Sequence, residues 1–81
     1  MTINVRLSAS LARLAGSSHL WVTLAKEATV ADLFDHLRTN YPALDSKLNI
    51  AVAIVSGRHT SPSQALHDGE QVAILIPIAG G

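Results

Sequence analysis

The sequence predicts an α+β fold: a mixed sheet of four to five strands packed on one main helix. Three observations lead there. Short segments of strand character stand at both ends of the chain: INVRL at 3–7, which alternates apolar and polar residues with period two, and the apolar QVAILI at 71–76. Between them a single segment has helical periodicity, with Val30, Leu33, Phe34 and Leu37 spaced i, i+3, i+4 and i+7. With 81 residues, 48% of them hydrophobic and 15% charged, the chain suits one domain with an ordinary core, spanning 1–81.

In INVRL the residues Ile3, Val5 and Leu7 share a face. SASLARLAG follows, where Leu11, Leu14 and Ala15 have helical spacing and Gly16 supplies a left-handed stop, so a helix of one or two turns is expected. HLWVTL at 19–24 returns to strand composition, with Leu20, Val22 and Leu24 on one face and Trp21 on the other. The first two strands are expected to pair antiparallel. Trp21 is read either as ordinary packing at a sheet edge or as a partner contact.

The main helix starts at Thr29, whose spacing to Asp32 is that of a capping box. Asp32, Asp35, His36 and Arg38 fall on its polar side, and Asn40-Tyr41-Pro42 ends it. A polar stretch leads to NIAVAIV at 49–55, apolar on both faces and so expected to be a central or well-covered strand. Ser56-Gly57 marks a turn, RHT a short returning strand, SPSQ a loop, and Leu66 an isolated core anchor. Asp68-Gly69 signals a tight turn before the last strand, which Pro77 ends.

Composition excludes several functions. The six basic residues balance six acidic ones and form no stripe or run, so neither nucleic acid nor a membrane surface is an expected partner. The chain lacks cysteine, which removes thiolate catalysis and Cys-based zinc sites. His19, His36, His59 and His67 have no metal-ligand spacing, so structural or surface roles are favoured and no metal is expected. No serine sits in a nucleophile elbow, no glycine-rich phosphate loop exists, and no carboxylate pair stands out for acid–base work. An autonomous active site is not expected. With no basic, apolar leader and no membrane-length apolar run, the sequence predicts a cytoplasmic protein.

The final residues are the exception. Gly80 and Gly81 close the chain, separated by two residues from a core strand and a proline that fixes the exit direction. Glycines have no side chain to block a narrow channel, and they leave the last carboxylate sterically open. That carboxylate, with an ordinary pKa of about 3.5, is ionised at neutral pH and needs activation by another enzyme before it is an acyl electrophile. Residues 78–81 are expected to form a flexible tail reaching about 13 Å at most. Ile76, Pro77, Ile78 and Ala79 are the expected partner-binding stretch, Gly80 the residue that lets the tail thread, and Gly81 the reacting one.

LHDGEQVAILIPIAGG resembles the close of the ubiquitin-like sulfur carriers, in particular the small subunit of molybdopterin synthase. Leu66, Asp68, Gly69, Glu70, Val72, Pro77, Gly80 and Gly81 stand in the places of that family's motif. The likeness extends back over essentially the whole chain. It implies a β-grasp fold and a cycle in which a ubiquitin-activating-type adenylyltransferase/sulfurtransferase adenylates Gly81 with ATP and sulfur then replaces AMP to give a thiocarboxylate. The implied partner is the large subunit of molybdopterin synthase, where sulfur passes to precursor pterin. The chain would be the non-catalytic sulfur donor of that complex and would bind no cofactor itself. It departs from the family pattern at Ser8, where an aromatic residue is common, at Ala12-Arg13 and at Val55-Ser56. A carrier for thiamin thiazole, cysteine, thiolated tRNA or a specialised metabolite would end the same way, as would a protein modifier forming isopeptide bonds.

Overall fold

The alternation of TINVRL becomes strand β1 (Thr2–Leu7) in the computed structural model, which describes residues 1–77. Ile3, Val5 and Leu7 are buried in the core, while Thr2 and Arg6 are exposed on the opposite face. Helix α1 (Ala9–Ala15) ends where Gly16 takes φ 84° and its amide donates to the Ala12 carbonyl at 2.8 Å. Leu11 is fully buried, yet Leu14, placed on the same stripe by its spacing, is 42% exposed. So short a helix presses little more than one turn onto the core, and Leu14 overhangs it.

Strand β2 (His19–Thr23) runs antiparallel to β1, with Val22 opposite Ile3 and Leu20 opposite Val5. Helix α2 (Val30–Asn40) begins with the capping box: the Asp32 amide donates to Thr29 Oγ1 at 3.3 Å and the Thr29 amide to Asp32 Oδ2 at 2.9 Å. Val30, Leu33 and Leu37 are buried and Phe34 is half-buried against the same cluster.

The stretch after Pro42, which the sequence reading leaves as a polar connection, is ordered as a 3-10 turn (Pro42–Leu44) running into the one-turn helix α3 (Asp45–Leu48). Leu44 and Leu48, four apart, both enter the core. Two leucines among polar residues are too short a run to show a period, which is why the pattern escapes notice.

Strand β3 (Val52–Val55) turns through Ser56 and Gly57 into the two-residue strand β4 (Arg58–His59). Ser56 and Gly57 have φ of 51° and 81°, the left-handed pair that a two-residue hairpin requires. Before the last strand, Thr2 donates its amide to Asp68 Oδ1 at 2.7 Å and Gly69 donates to the Thr2 carbonyl at 2.8 Å. This turn ties the start of β5 (Gln71–Leu75) to the start of β1.

The sheet order is β2-β1-β5-β3-β4, with β1 and β5 parallel at the centre and the other pairs antiparallel. The mixed five-stranded sheet with its main helix is the expected architecture, and β3 lies one strand in from the edge rather than at the centre. The side chains of Leu11, Leu33, Leu37, Leu44, Leu48 and Leu66 close one face of the sheet. No described element covers the other face. No helix of the described residues is long and apolar enough to cross a membrane.

Candidate functional site: the tail exit and the open sheet face

Because β1 and β5 are parallel, both end at the same side of the sheet. There the Ser8 amide donates to the Ile74 carbonyl at 3.0 Å, and Val52 pairs with Leu75. These contacts aim the chain outwards from the sheet centre, past half-buried Ile76 and exposed Pro77. Ile76 packs against the core cluster, continuing the inward alternation of Val72 and Ile74. Of the expected partner-binding and reacting residues, Ile78, Ala79, Gly80 and Gly81 lie outside the described residues. Ile50, in the turn that leads into β3, is 58% exposed.

Next to this exit the open face carries an apolar patch. Val52 opposite Leu75 and Ile54 opposite Ala73 form two adjacent cross-strand pairs, all four residues half-buried. Arg6 pairs with Ala73 on one side and His19 on the other, while Asn4 lies between Trp21 and Gln71. Trp21, on edge strand β2, is 71% exposed, so the sheet-edge packing reading does not apply to it. None of the six acidic residues (Glu27, Asp32, Asp35, Asp45, Asp68 and Glu70) lies on a strand. The open face therefore carries an apolar patch and one fixed cation, Arg6, with no strand carboxylate, although the chain as a whole is neutral.

The other polar clusters are structural. Glu70 accepts from the His67 amide at 2.9 Å and from Ser56 Oγ at 3.3 Å, and its Oε1 lies 3.6 Å from His67 Nδ1. The carboxylate stands between hydroxyl and imidazole, so the histidine cannot take a proton from the serine as nucleophile activation demands. The trio clamps two turns together. His19 and His59 are exposed, and His36 is half-buried on α2. Among the described residues no three His, Asp or Glu side chains converge as a metal site would need.

What the described residues offer is the exit of the last strand at Pro77, with an apolar surface beside it. Sequence reasoning centred on the tail and passed over Arg6, Ile50, Val52, Ile54, Ala73 and Leu75. A signal was present: strands apolar on both faces, with only one helix to cover them.

The ThiS family matches residues 5–81. The chain belongs to that family. It is 32% identical to the molybdopterin synthase sulfur carrier subunit of Chlamydomonas reinhardtii over 83 residues, covering all of both chains. The small archaeal modifier protein 1 of Haloferax volcanii is 32% identical over 94% of this chain and 97% of its own. A crystal structure of that archaeal protein superposes with a TM-score of 0.89 at 28% identity, each chain fully covered. The fold also recurs in a complex of subunits 1 and 2 of molybdopterin-converting factor from Helicobacter pylori 26695, with a TM-score of 0.72, 16% identity and both chains fully covered. The ubiquitin-like sulfur-carrier family that the terminal motif indicated is thus the family of this chain, and its fold is the β-grasp.

Proposed function

We propose that this ThiS-family chain carries sulfur as a thiocarboxylate on Gly81 and donates it in molybdopterin biosynthesis, as the small subunit of a molybdopterin synthase. The observation that carries the reading is the family match running through Gly81, at the end of a tail leaving the central strand β5. Full-length identity to an algal sulfur carrier subunit supports the pathway.

In the first step a Gly81 carboxylate oxygen attacks the α-phosphorus of ATP on a ubiquitin-activating-type enzyme, and pyrophosphate leaves. In the second, a donor persulfide attacks the acyl carbon and AMP leaves with the original oxygen. A thiol then supplies two electrons to cleave the resulting acyl disulfide and free the thiocarboxylate. None of these steps uses a side chain of this protein. Its own contributions are a side-chain-free terminus that fits a narrow channel and the apolar face that seats the body against its partner, chiefly the large synthase subunit.

The test is intact-mass measurement after incubation with the cell's own adenylating enzyme, ATP and a sulfur donor. The chain is expected to gain the mass difference between sulfur and oxygen at Gly81. No gain under any of these conditions refutes the reading. A second reading is favoured by the likeness to the archaeal modifier: the Gly81 acyl group passes to lysines of other proteins. Larger conjugates in cell extracts, lost on deletion of Gly81, would select it.

A further inference from the structure

Two features of the open face have no role in the fold. Arg6 is exposed and makes no ion pair or hydrogen bond among the described residues, although its neighbours in register are Ala73 and His19. The Ser8 hydroxyl is buried and has no hydrogen-bond partner among the described residues. Ser8 stands at the N-cap of α1, yet its side chain makes no capping bond. A buried hydroxyl left unpaired is costly by comparison with a methyl group of similar size. Arg6, Ser8, Ala73 and Leu75 line one depression of about 220 Å³, which opens beside the exit of β5.

We infer that this notch is a carboxylate receptor: an Asp or Glu of the protein that activates Gly81 enters it, pairs with Arg6 and accepts a hydrogen bond from Ser8. The inference rests on the reading of Gly81 as an acyl carrier. The occupant follows from chemistry. Arg6 offers only donors, and its planar fork matches a carboxylate. The Ser8 hydroxyl changes direction by stepping between staggered rotamers about χ1 without backbone movement, so it is able to add a second donor. The walls of Ala73 and Leu75 remove water from one side of the pair, which strengthens it relative to a free surface contact. No acidic residue lies on a strand of this chain to compete for Arg6.

The position of the notch gives the pairing a purpose. Ser8 binds the carbonyl of Ile74, next to the last residue of β5, through its amide, so a carboxylate seated there registers the partner against the root of the tail. With the root fixed, the length from Pro77 to Gly81 sets how far the terminal carboxylate reaches. Apolar contact alone would tolerate sliding; a buried charge pair does not. Arg6 and Ser8 are positioning and specificity residues, and neither touches the reacting atoms.

The test measures thiocarboxylate formation by the cell's own adenylating enzyme, ATP and a sulfur donor, with the carrier concentration varied. Arg6→Glu is expected to raise KM for the carrier about tenfold or more while leaving kcat unchanged. Arg6→Ala is expected to flatten the rise of KM with salt that the wild-type chain shows. Ser8→Ala should raise KM less, and its melting temperature should hold or increase because an unpaired hydroxyl is gone. Circular dichroism on each variant keeps misfolding apart from lost docking. If the wild-type chain is thiolated and Arg6→Glu shows the same KM and salt dependence, this inference is wrong and the carrier reading stands. If the wild-type chain gains no sulfur, both fall.

Discussion

The two faces of the sheet are built from the same five strands, and they differ in what covers them. Towards α2, Ile3, Val5, Val72 and Ile74 are buried almost completely by leucines from helices and loops. On the reverse, Val52, Ile54, Ala73 and Leu75 stay half-exposed beside Arg6, His19 and Trp21. One face is finished by the chain itself. The other is left for something else to finish, and it lies next to the tail exit. On the proposed function, the contrast separates the residues that stabilise the body from those that serve docking.

Removing Gly81 is the most drastic test of that division. Formation of the acyl-adenylate and thiocarboxylate should stop completely, read by intact mass, while thermal unfolding stays as in the full chain. The described core is assembled from residues up to half-buried Ile76, so its packing is expected to survive the deletion. A melting temperature lowered by several degrees would show instead that the tail belongs to the body.

Next in size comes a pair of substitutions, one on each face. Leu33 is fully buried in the first turn of α2, so Leu33→Ala should cost about 2–5 kcal/mol in denaturant unfolding. That is a large part of the roughly 4–12 kcal/mol expected of a domain this size. Leu75→Ser on the open face should cost about 1 kcal/mol or less, yet weaken docking to the adenylating enzyme about tenfold. If Leu75→Ser destabilises as much as Leu33→Ala, the open face is part of the core and the contrast fails.

The finished face was the legible one. Helical spacing in Val30, Leu33 and Leu37, the Thr29–Asp32 cap and the alternation in β1 each state a local geometry, and each is a short-range property of the chain. Leu44 and Leu48 escaped because a one-turn helix has no period to detect. The open face escaped for a different reason. Strand β3 is apolar on both sides, a pattern that ordinarily marks a covered strand; a single main helix signals that one face lacks cover, and only the assembled sheet shows which residues lie on it. Arg6 and Ala73 are 67 positions apart in sequence and adjacent in space, so parallel pairing alone creates the notch. For Gly80-Gly81 the reverse holds: the function proposed for them is read from the sequence, and they lie outside the described residues.

A smaller effect tests the cap. Thr29 receives the Asp32 amide and bonds nothing on the open face, so Thr29→Ala should cost about 1 kcal/mol with no change in KM for the adenylating enzyme. A changed KM would mean that α2 shifts the open face through the sheet, and that the two faces are coupled.

The smallest expected effect has the opposite sign. Ser56 occupies the first turn position of the β3–β4 hairpin with φ 51°, a left-handed conformation that serine adopts with strain. Asparagine tolerates it better, and Asn-Gly is the favoured pair for a two-residue hairpin whose second residue is already Gly57. The hydroxyl donates to Glu70 Oε2 at 3.3 Å, a long bond at an exposed site, and an asparagine amide offers a donor in its place. Ser56→Asn should therefore raise stability by about 0.5 kcal/mol, or roughly 2–4 °C in melting temperature. Its value lies in what it leaves alone. The substitution stiffens a turn at the end of β3 opposite the tail exit, so KM for the adenylating enzyme should not move. A stabilised variant that docks as before would show that the open face works through its own residues. A stabilised variant that docks better would show that the edge of the sheet flexes on binding, and that the unfinished face is shaped partly by its partner.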